Sequence, residues 1–337
     1  MYEALFYQRM ENEDVVCDLC SHHCRILEGR RGLCGVRENQ GGRLVSLVYG
    51  LVVAHNVDPI EKKPLFHFLP SSLSYSIATM GCNFQCLYCQ NYQISQCADL
   101  GEGPINGTPY SPEEVVADAE RTGCRSISYT YVEPAVFYEF ARDCGRLARE
   151  RGLRNVFVSN GYMSAATTRD MGPWVDGINI DLKAYSDSFY RQVCKARLQP
   201  VLDSIRLCHE LGIWVEVTTL LIPGLNDGDE ELRDIARFLR DVSPAIPWHV
   251  TGFSPTYRML DRPSTPAATL RRAREIGLEE GLLHIYQGNV SDAGAEDTRC
   301  PGCGGLLIAR HGFYSRIEAM AAGRCTACGQ AVAGVWV

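Results

Sequence analysis

From residue 73 onward the chain alternates two hydrophobic patterns. Short apolar runs at 73–80, 125–132, 155–159, 177–183, 214–222 and 248–253 read as strands. Between them, apolar residues recur at intervals of three and four, the spacing of a helix with one buried face. Residues 112–122 form the first such helix, with Ser111 as N-cap, Pro112 in the first turn and Glu113 and Glu114 next. Phe137, Phe140, Ala141, Cys144, Leu147 and Ala148 share one face of a second. Helices at 201–211, around Leu232, Ile235, Ala236 and Leu239, and at 267–277 complete the series. About six βα units in succession predict an α/β fold, a parallel sheet covered by helices. Periodicity alone fits either a partial (β/α)6 barrel or an open doubly wound sheet.

What stands at the strand ends favours the barrel, whose chemistry gathers at the C-terminal ends of its strands. The first strand runs into a cysteine cluster and the second ends at Glu133-Pro134. The third ends at Ser159-Asn160-Gly161, the fourth carries Asp181 and Lys183, the fifth Thr218 and Thr219, and the sixth His249. Residues 288–299 are polar and glycine-containing and read as a linker. The expected division is an N-terminal cysteine-rich extension at 1–70, a core at 71–290 and a small C-terminal module at 291–337.

A chain of 337 residues with 46% hydrophobic content can bury a full core. The net charge of −7, without a basic stripe, argues against nucleic-acid binding. No apolar run approaches the roughly 18 residues of a membrane helix. The stretch 44–53 is short and broken by Ser46 and Gly50. The first ten residues lack the pattern of a signal peptide, so a cytoplasmic location is expected. In a reducing compartment, clustered cysteines read as metal ligands rather than disulfides. Of the 16 cysteines, four lie within 17–34, three within 82–89 and four within 300–328. Cys97, Cys124, Cys144, Cys194 and Cys208 are isolated and read as small buried hydrophobes.

The central set, Cys82, Cys86 and Cys89, has the spacing C-x3-C-x2-C on a loop after a strand. Three thiolates hold three irons of a cubane and leave the fourth open, as a catalytic centre requires. The competing reading is a closed structural site, with Cys97 as the fourth ligand.

Cys82 to Cys89, with Tyr88 before the last cysteine, resembles the radical S-adenosylmethionine (SAM) superfamily. Residues 86–91, Cys-Leu-Tyr-Cys-Gln-Asn, are similar to glycyl-radical-enzyme and pyruvate formate-lyase activating enzymes. The whole chain most resembles the radical SAM member of the AmmeMemoRadiSam system. The matching stretches are 58–65, the cluster loop, 129–134, 158–161, 179–183, 247–249 and 253–257. The resemblance implies a [4Fe–4S] cluster on Cys82, Cys86 and Cys89, and SAM on the open iron. Reductive cleavage then yields methionine and a 5′-deoxyadenosyl radical that abstracts hydrogen from a protein, peptide or small molecule. It further implies that Glu133 meets the SAM amino group, Ser159 and Asn160 the ribose, and Lys183, beside Asp181, the carboxylate. Tyr88 packs near adenine, and His249 is either a further SAM or substrate contact or a satisfied core histidine. The superfamily's common Gly-Gly-Glu is absent, and Val132-Glu133-Pro134 stands in its place. Expected partners are a low-potential donor, flavodoxin or ferredoxin, and Memo-like and AMMECR-type proteins.

Asp181 and Lys183, two apart, face the same side of a strand. On an apolar buried strand such a pair is costly unless it serves a ligand or forms an ion pair. Cys300, Cys303, Cys325 and Cys328 form two C-x2-C knuckles followed by Gly304 and Gly329, the pattern of a zinc ribbon. Cys17, Cys20, Cys24 and Cys34, with His22 and His23 as substitutes, fit either structural zinc or an auxiliary cluster. A non-catalytic iron–sulfur and zinc scaffold or electron carrier would use these cysteines but not Glu133 or the Asp181–Lys183 pair. A basic patch at Arg310, His311 and Arg316 is the one feature that suits a nucleic-acid-binding ribbon.

Overall fold

The computed structural model describes residues 2–96, 103–290 and 294–336. Eight strands form the main sheet: β1 (Ala54–Pro59), β2 (Leu73–Ala78), β3 (Ser126–Tyr129), β4 (Arg154–Ser159), β5 (Gly177–Asp181), β6 (Trp214–Leu221), β7 (Trp248–Gly252) and β8 (Ile285–Gly288). They lie side by side in sequence order. All from β2 onward are parallel, and β1 pairs antiparallel with β2 at the edge. Among the described residues β1 and β8 do not pair with each other, so the sheet is open. The expected strands are all present. The series gains a seventh parallel strand, β8, and the antiparallel edge β1.

Six helices make the crossovers: α1 (Pro112–Arg121), α2 (Tyr138–Glu150), α3 (Ala165–Met171), α4 (Leu198–Glu210), α5 (Asp229–Val242) and α6 (Ala267–Glu279). Parallel neighbours need such crossovers, because a tight turn cannot return the chain to the same end of the sheet. The start of α1 is a capping box: the Glu114 amide donates to Ser111 Oγ at 3.2 Å, and the Ser111 amide to the Glu114 carboxylate at 2.7 Å. Along α2, Phe140, Ala141, Cys144 and Ala148 are buried at helical spacing. Gly145 lets that helix lie against the Trp174 ring, where a Cβ would collide.

Two smaller units flank the sheet. At the N-terminus, Tyr2–Glu3, Arg43–Ser46 and Arg37–Gln40 form one small antiparallel sheet, and Tyr7–Arg9, Val15–Cys17 and Cys24–Ile26 another. A buried ion pair fastens this unit to α2: Arg37 meets Glu139 at 2.9 Å, with both side chains at most 2% exposed. Glu139 also accepts the Leu5 amide at 2.7 Å. Removing one partner of such a pair strands a buried charge, at a cost of about 3–5 kcal/mol.

At the C-terminus, Thr298–Arg299, Leu306–His311 and Tyr314–Ile317 form a meander. Part of the expected 288–299 linker is therefore strand, and residues 291–293 lie outside the described residues. The unit docks on the loop between β1 and β2: Leu69 and His67 exchange backbone hydrogen bonds of 2.7 Å with Val335. Arg310 is buried rather than presented to a polyanion. It donates to the Phe66 carbonyl at 2.7 Å and lies over the Phe66 ring at 4.2 Å. Arg316 pairs with Glu318. Of the three residues of the expected basic patch, Arg310 is thus spent on internal contacts, while His311 and Arg316 are exposed. No helix among the described residues is long and apolar enough to cross a membrane.

Candidate active site

The C-terminal ends of the parallel strands open into one cavity of about 1270 Å³. Cys82, Cys86, Cys89, Glu133, Asp181 and Lys183 all reach it, as do Tyr88, Ser159, Asn160 and His249. Side chains separated by more than 160 residues of sequence therefore share one space.

The cysteine loop leaves β2 without regular structure, and neighbouring backbone pins it. Gln85 and Leu87 donate to the Cys194 and Val193 carbonyls at 3.0 Å, and Gly81 to Ile94 at 2.8 Å. Gly81 has φ +99°, and a Cβ there would strike Val36 and the Cys34 carbonyl of the N-terminal unit. Donors already point at the sulfurs. The Phe84 amide lies 3.5 Å from Cys82 Sγ, Asn160 Nδ2 3.9 Å from the same atom, and Ser95 Oγ 3.1 Å from Cys89 Sγ. Cys194, expected to be a small buried hydrophobe, is fully buried in the core, and its thiol interacts electrostatically with that of Cys86. Cys97, considered as a closing ligand, lies outside the described residues.

Glu133 caps the short helix Pro134–Phe137 and is fully buried. Its carboxylate accepts hydrogen bonds from the Ala135 amide at 3.0 Å, the Asn160 amide at 2.8 Å and Ser159 Oγ at 2.9 and 3.1 Å. Burial pushes its pKa up to about 7, against the pull of those donors. The structure thus places the Ser159 hydroxyl and the Asn160 amide on Glu133, where they fix its position. The Asn160 side chain donates to Asn83 of the cysteine loop at 2.7 Å.

Lys183 Nζ meets Asp181 at 3.0 Å and stands 5.8 Å from the centre of the Tyr88 ring. Burial opposes its charge, but Asp181 and the nearby thiols outweigh burial and hold its pKa well above the usual lysine value. His249 Nε2 lies 2.7 Å from Glu216, a fully buried carboxylate that also accepts the Phe66 and His67 amides at 2.9 and 2.7 Å. His249 is therefore a tethered histidine with one face on the cavity.

Sequence reasoning missed a second charged group at the rim. Asp58 accepts from Lys62 at 2.8 Å, Lys63 at 2.6 Å and Tyr131 at 2.5 Å. Burial brings the Lys63 pKa down to about 8, against the pull of Asp58. Two lysines and two acids within six residues, Asp58 to Lys63, were the available signal.

The C-terminal cysteines are collapsed to a point. Cys300 and Cys328 Sγ lie 3.5 Å apart, Cys303 and Cys325 Sγ 3.8 Å apart, and all four lie within 4.8 Å of one another. A tetrahedral ion with metal–sulfur bonds of about 2.3 Å spaces its sulfurs by about 3.8 Å. This site fits a single ion. Chelation, or Cys328→Ser, is expected to remove one metal per chain and to loosen the segment 298–336, read as faster amide exchange there. Unchanged exchange in metal-free protein would contradict a structural role.

The family model described as Radical SAM superfamily matches residues 76–239, the span holding the cysteine loop, Glu133 and the Asp181–Lys183 pair. An uncharacterised protein of Methanocaldococcus jannaschii is 45% identical, covering 98% of this chain and 99% of its own. A putative glycyl-radical enzyme activating enzyme of the same organism is 27% identical over 64% of this chain and 79% of its own. The pyruvate formate-lyase-activating enzyme of Clostridium pasteurianum is 20% identical over 52% and 74%. Among solved structures, a radical SAM methyltransferase from Sphaerobacter thermophilus aligns with a TM-score of 0.49 at 17% identity, over 69% of this chain and 70% of that one. With a superfamily domain in its core and a full-length relative beside it, this chain belongs to the radical SAM superfamily and is an enzyme of the radical SAM class.

Proposed function

We propose that the chain binds SAM on a [4Fe–4S] cluster held by Cys82, Cys86 and Cys89 and directs hydrogen abstraction from a substrate in the cavity. The observation that carries this reading is Glu133. A buried carboxylate with its donors in place, on the wall of a cavity shared with three cysteines, calls for a cation that no described side chain supplies. The amino group of SAM is such a cation.

When bound, the cluster supplies the electron that breaks SAM into methionine and a 5′-deoxyadenosyl radical. The chain's residues do the positioning. Glu133 takes the ammonium, with Ser159 and Asn160 holding Glu133 and bordering the ribose. Lys183, steadied by Asp181, faces the carboxylate. Tyr88 lies beside the adenine, and His249 borders SAM or substrate from the far wall.

The family resemblance adds finer expectations. The chain acts as the radical SAM enzyme of the AmmeMemoRadiSam system, in the cytoplasm, with flavodoxin or ferredoxin as reductant and Memo-like and AMMECR-type proteins as partners. The C-terminal unit is a zinc ribbon. A second reading, a glycyl-radical-enzyme activase, draws on the relatives named as activating enzymes. An electron carrier or scaffold has no use for the Glu133 carboxylate.

Anaerobic reconstitution, then SAM and dithionite, is expected to release 5′-deoxyadenosine and methionine in equal amounts. A cluster-loaded protein that does not bind SAM would overturn the proposal.

A further inference from the structure

The N-terminal cysteines lie behind the candidate active site, and the proposed reaction does not use them. Cys17, Cys20, Cys24 and Cys34 line one internal cavity. Local structure brings them together. Cys17 and Cys24 are direct cross-strand partners, Cys20 sits in the turn between their strands, and Cys34 lies just before Gly35, at φ +76°. All four are free thiols, buried or nearly so. Four thiols held in this state serve no packing purpose that alanine or valine would not serve better.

The histidines are committed elsewhere. His22 Nε2 lies 2.8 Å from the Asn83 carbonyl, and His23 Nδ1 pairs with Asp18 at 2.8 Å near the surface. The ligand set is therefore all cysteine.

Two buried donors on the wall of the same cavity lack acceptors. Arg37, 1% exposed, uses its terminal nitrogens on Glu139 and the Leu5 carbonyl, and its Nε–H has no partner. Asn83, 4% exposed, accepts through Oδ1 from Asn160, and its Nδ2 has none. An unmade hydrogen bond on a buried donor costs about 1–3 kcal/mol. Both residues line the cavity together with the four cysteines and with His22, which is already paired with the Asn83 carbonyl. An anionic metal–thiolate group there would accept from both.

Spacing chooses the group. The C-terminal cysteines gather within 4.8 Å of one another, as a single ion requires. The N-terminal four do not form so tight a group and instead surround the cavity. A cubane places each thiolate on a separate iron and needs that wider ring.

We infer that Cys17, Cys20, Cys24 and Cys34 hold a second [4Fe–4S] cluster, accepting hydrogen bonds from Arg37 Nε and Asn83 Nδ2. Asn83 follows Cys82 directly, so one short segment serves both metal centres. This cluster has four cysteine ligands and no open iron.

The test removes the central cluster, which makes it independent of the proposed reaction. The full-length Cys82→Ala/Cys86→Ala/Cys89→Ala variant, reconstituted anaerobically, is expected to keep about four iron and four sulfide per chain. Its reduced paramagnetic signal is expected to ignore SAM. Adding Cys20→Ala and Cys34→Ala should remove that iron while the C-terminal metal stays, which shows the chain still folded. Asn83→Leu in the triple variant should shift the midpoint potential to a more negative value, because the reduced, more anionic state loses a donor. Zinc in place of iron, a Cys17–Cys24 disulfide, or no metal at all in the folded triple variant would each overturn the inference.

Discussion

Cys86→Ala is expected to reduce 5′-deoxyadenosine formation to background, a fall of about a thousandfold or more, given that enzymes exceed uncatalysed rates by at least about 10⁶. Cys86 sits at the centre of the loop and is 8% exposed. Without its thiolate the proposed cluster would keep only two ligands on the loop. The loop itself should survive, because Gln85 and Leu87 hold it through backbone bonds that alanine leaves intact. Circular dichroism should be unchanged while iron content falls. A variant that keeps its cluster and its product would show that Cys86 is not a ligand.

Glu133→Gln is expected to weaken SAM binding by roughly 10- to 100-fold, from two losses. The variant cannot pair its charge with the ammonium, an interaction worth about 1.5–3 kcal/mol. It also turns an amide NH2 toward donors, because Ala135 N–H, Asn160 N–H and Ser159 O–H surround both oxygens and no flip avoids all of them. The wild-type pH dependence follows from the Glu133 pKa of about 7. Only the carboxylate form attracts the ammonium, so protonation competes with binding and affinity falls as pH drops through 7. The α-amino group of SAM, with an ordinary pKa near 7.7–8.0, stays charged over that range. Between pH 7 and pH 6 the dissociation constant should rise about fivefold, as the carboxylate fraction falls for a group with that pKa. The Glu133→Gln protein should show a flat profile. Calorimetric titration of SAM at the two pH values reads both effects, and an equal slope in wild type and variant would assign the dependence to another group.

The sequence made the parallel strands and most crossover helices legible because apolar periodicity and caps marked them. Ser111, Pro112 and Glu114 announced α1 by the same contacts that close its capping box. Besides the edge strand β1, two elements escaped because their residues are polar for internal reasons. Strand β8 carries Tyr286 and Gln287, and Tyr286 is spent on His67 and Thr298. Helix α3 reads Ala-Ala-Thr-Thr-Arg-Asp-Met, and only the Ser164 cap, which accepts the Thr167 amide at 3.2 Å, marks its start.

The site was legible where chemistry was local and hidden where it depended on packing. The spacing of Cys82, Cys86 and Cys89 could be read directly. The position of Glu133 before a proline was visible, but its grip by Ser159 and Asn160 requires β3 and β4 to lie side by side. Glu216 was a lone acid in an apolar strand, which is itself a signal, and its role in tethering His249 emerges only from the pairing of β6 with β7. Cys194 is the core cysteine its isolation in sequence suggested, and only the packing brings it beside the cysteine loop.

The most direct test is electron paramagnetic resonance of the reduced, reconstituted protein carrying Cys17→Ala, Cys20→Ala, Cys24→Ala and Cys34→Ala, with and without SAM. One cluster on Cys82, Cys86 and Cys89 is expected, with a signal that changes on adding SAM, because the ligand takes an open iron. A fully formed cluster with the same signal in both samples would mean that the fourth iron is already ligated, and would contradict the reading of this cavity as a SAM site.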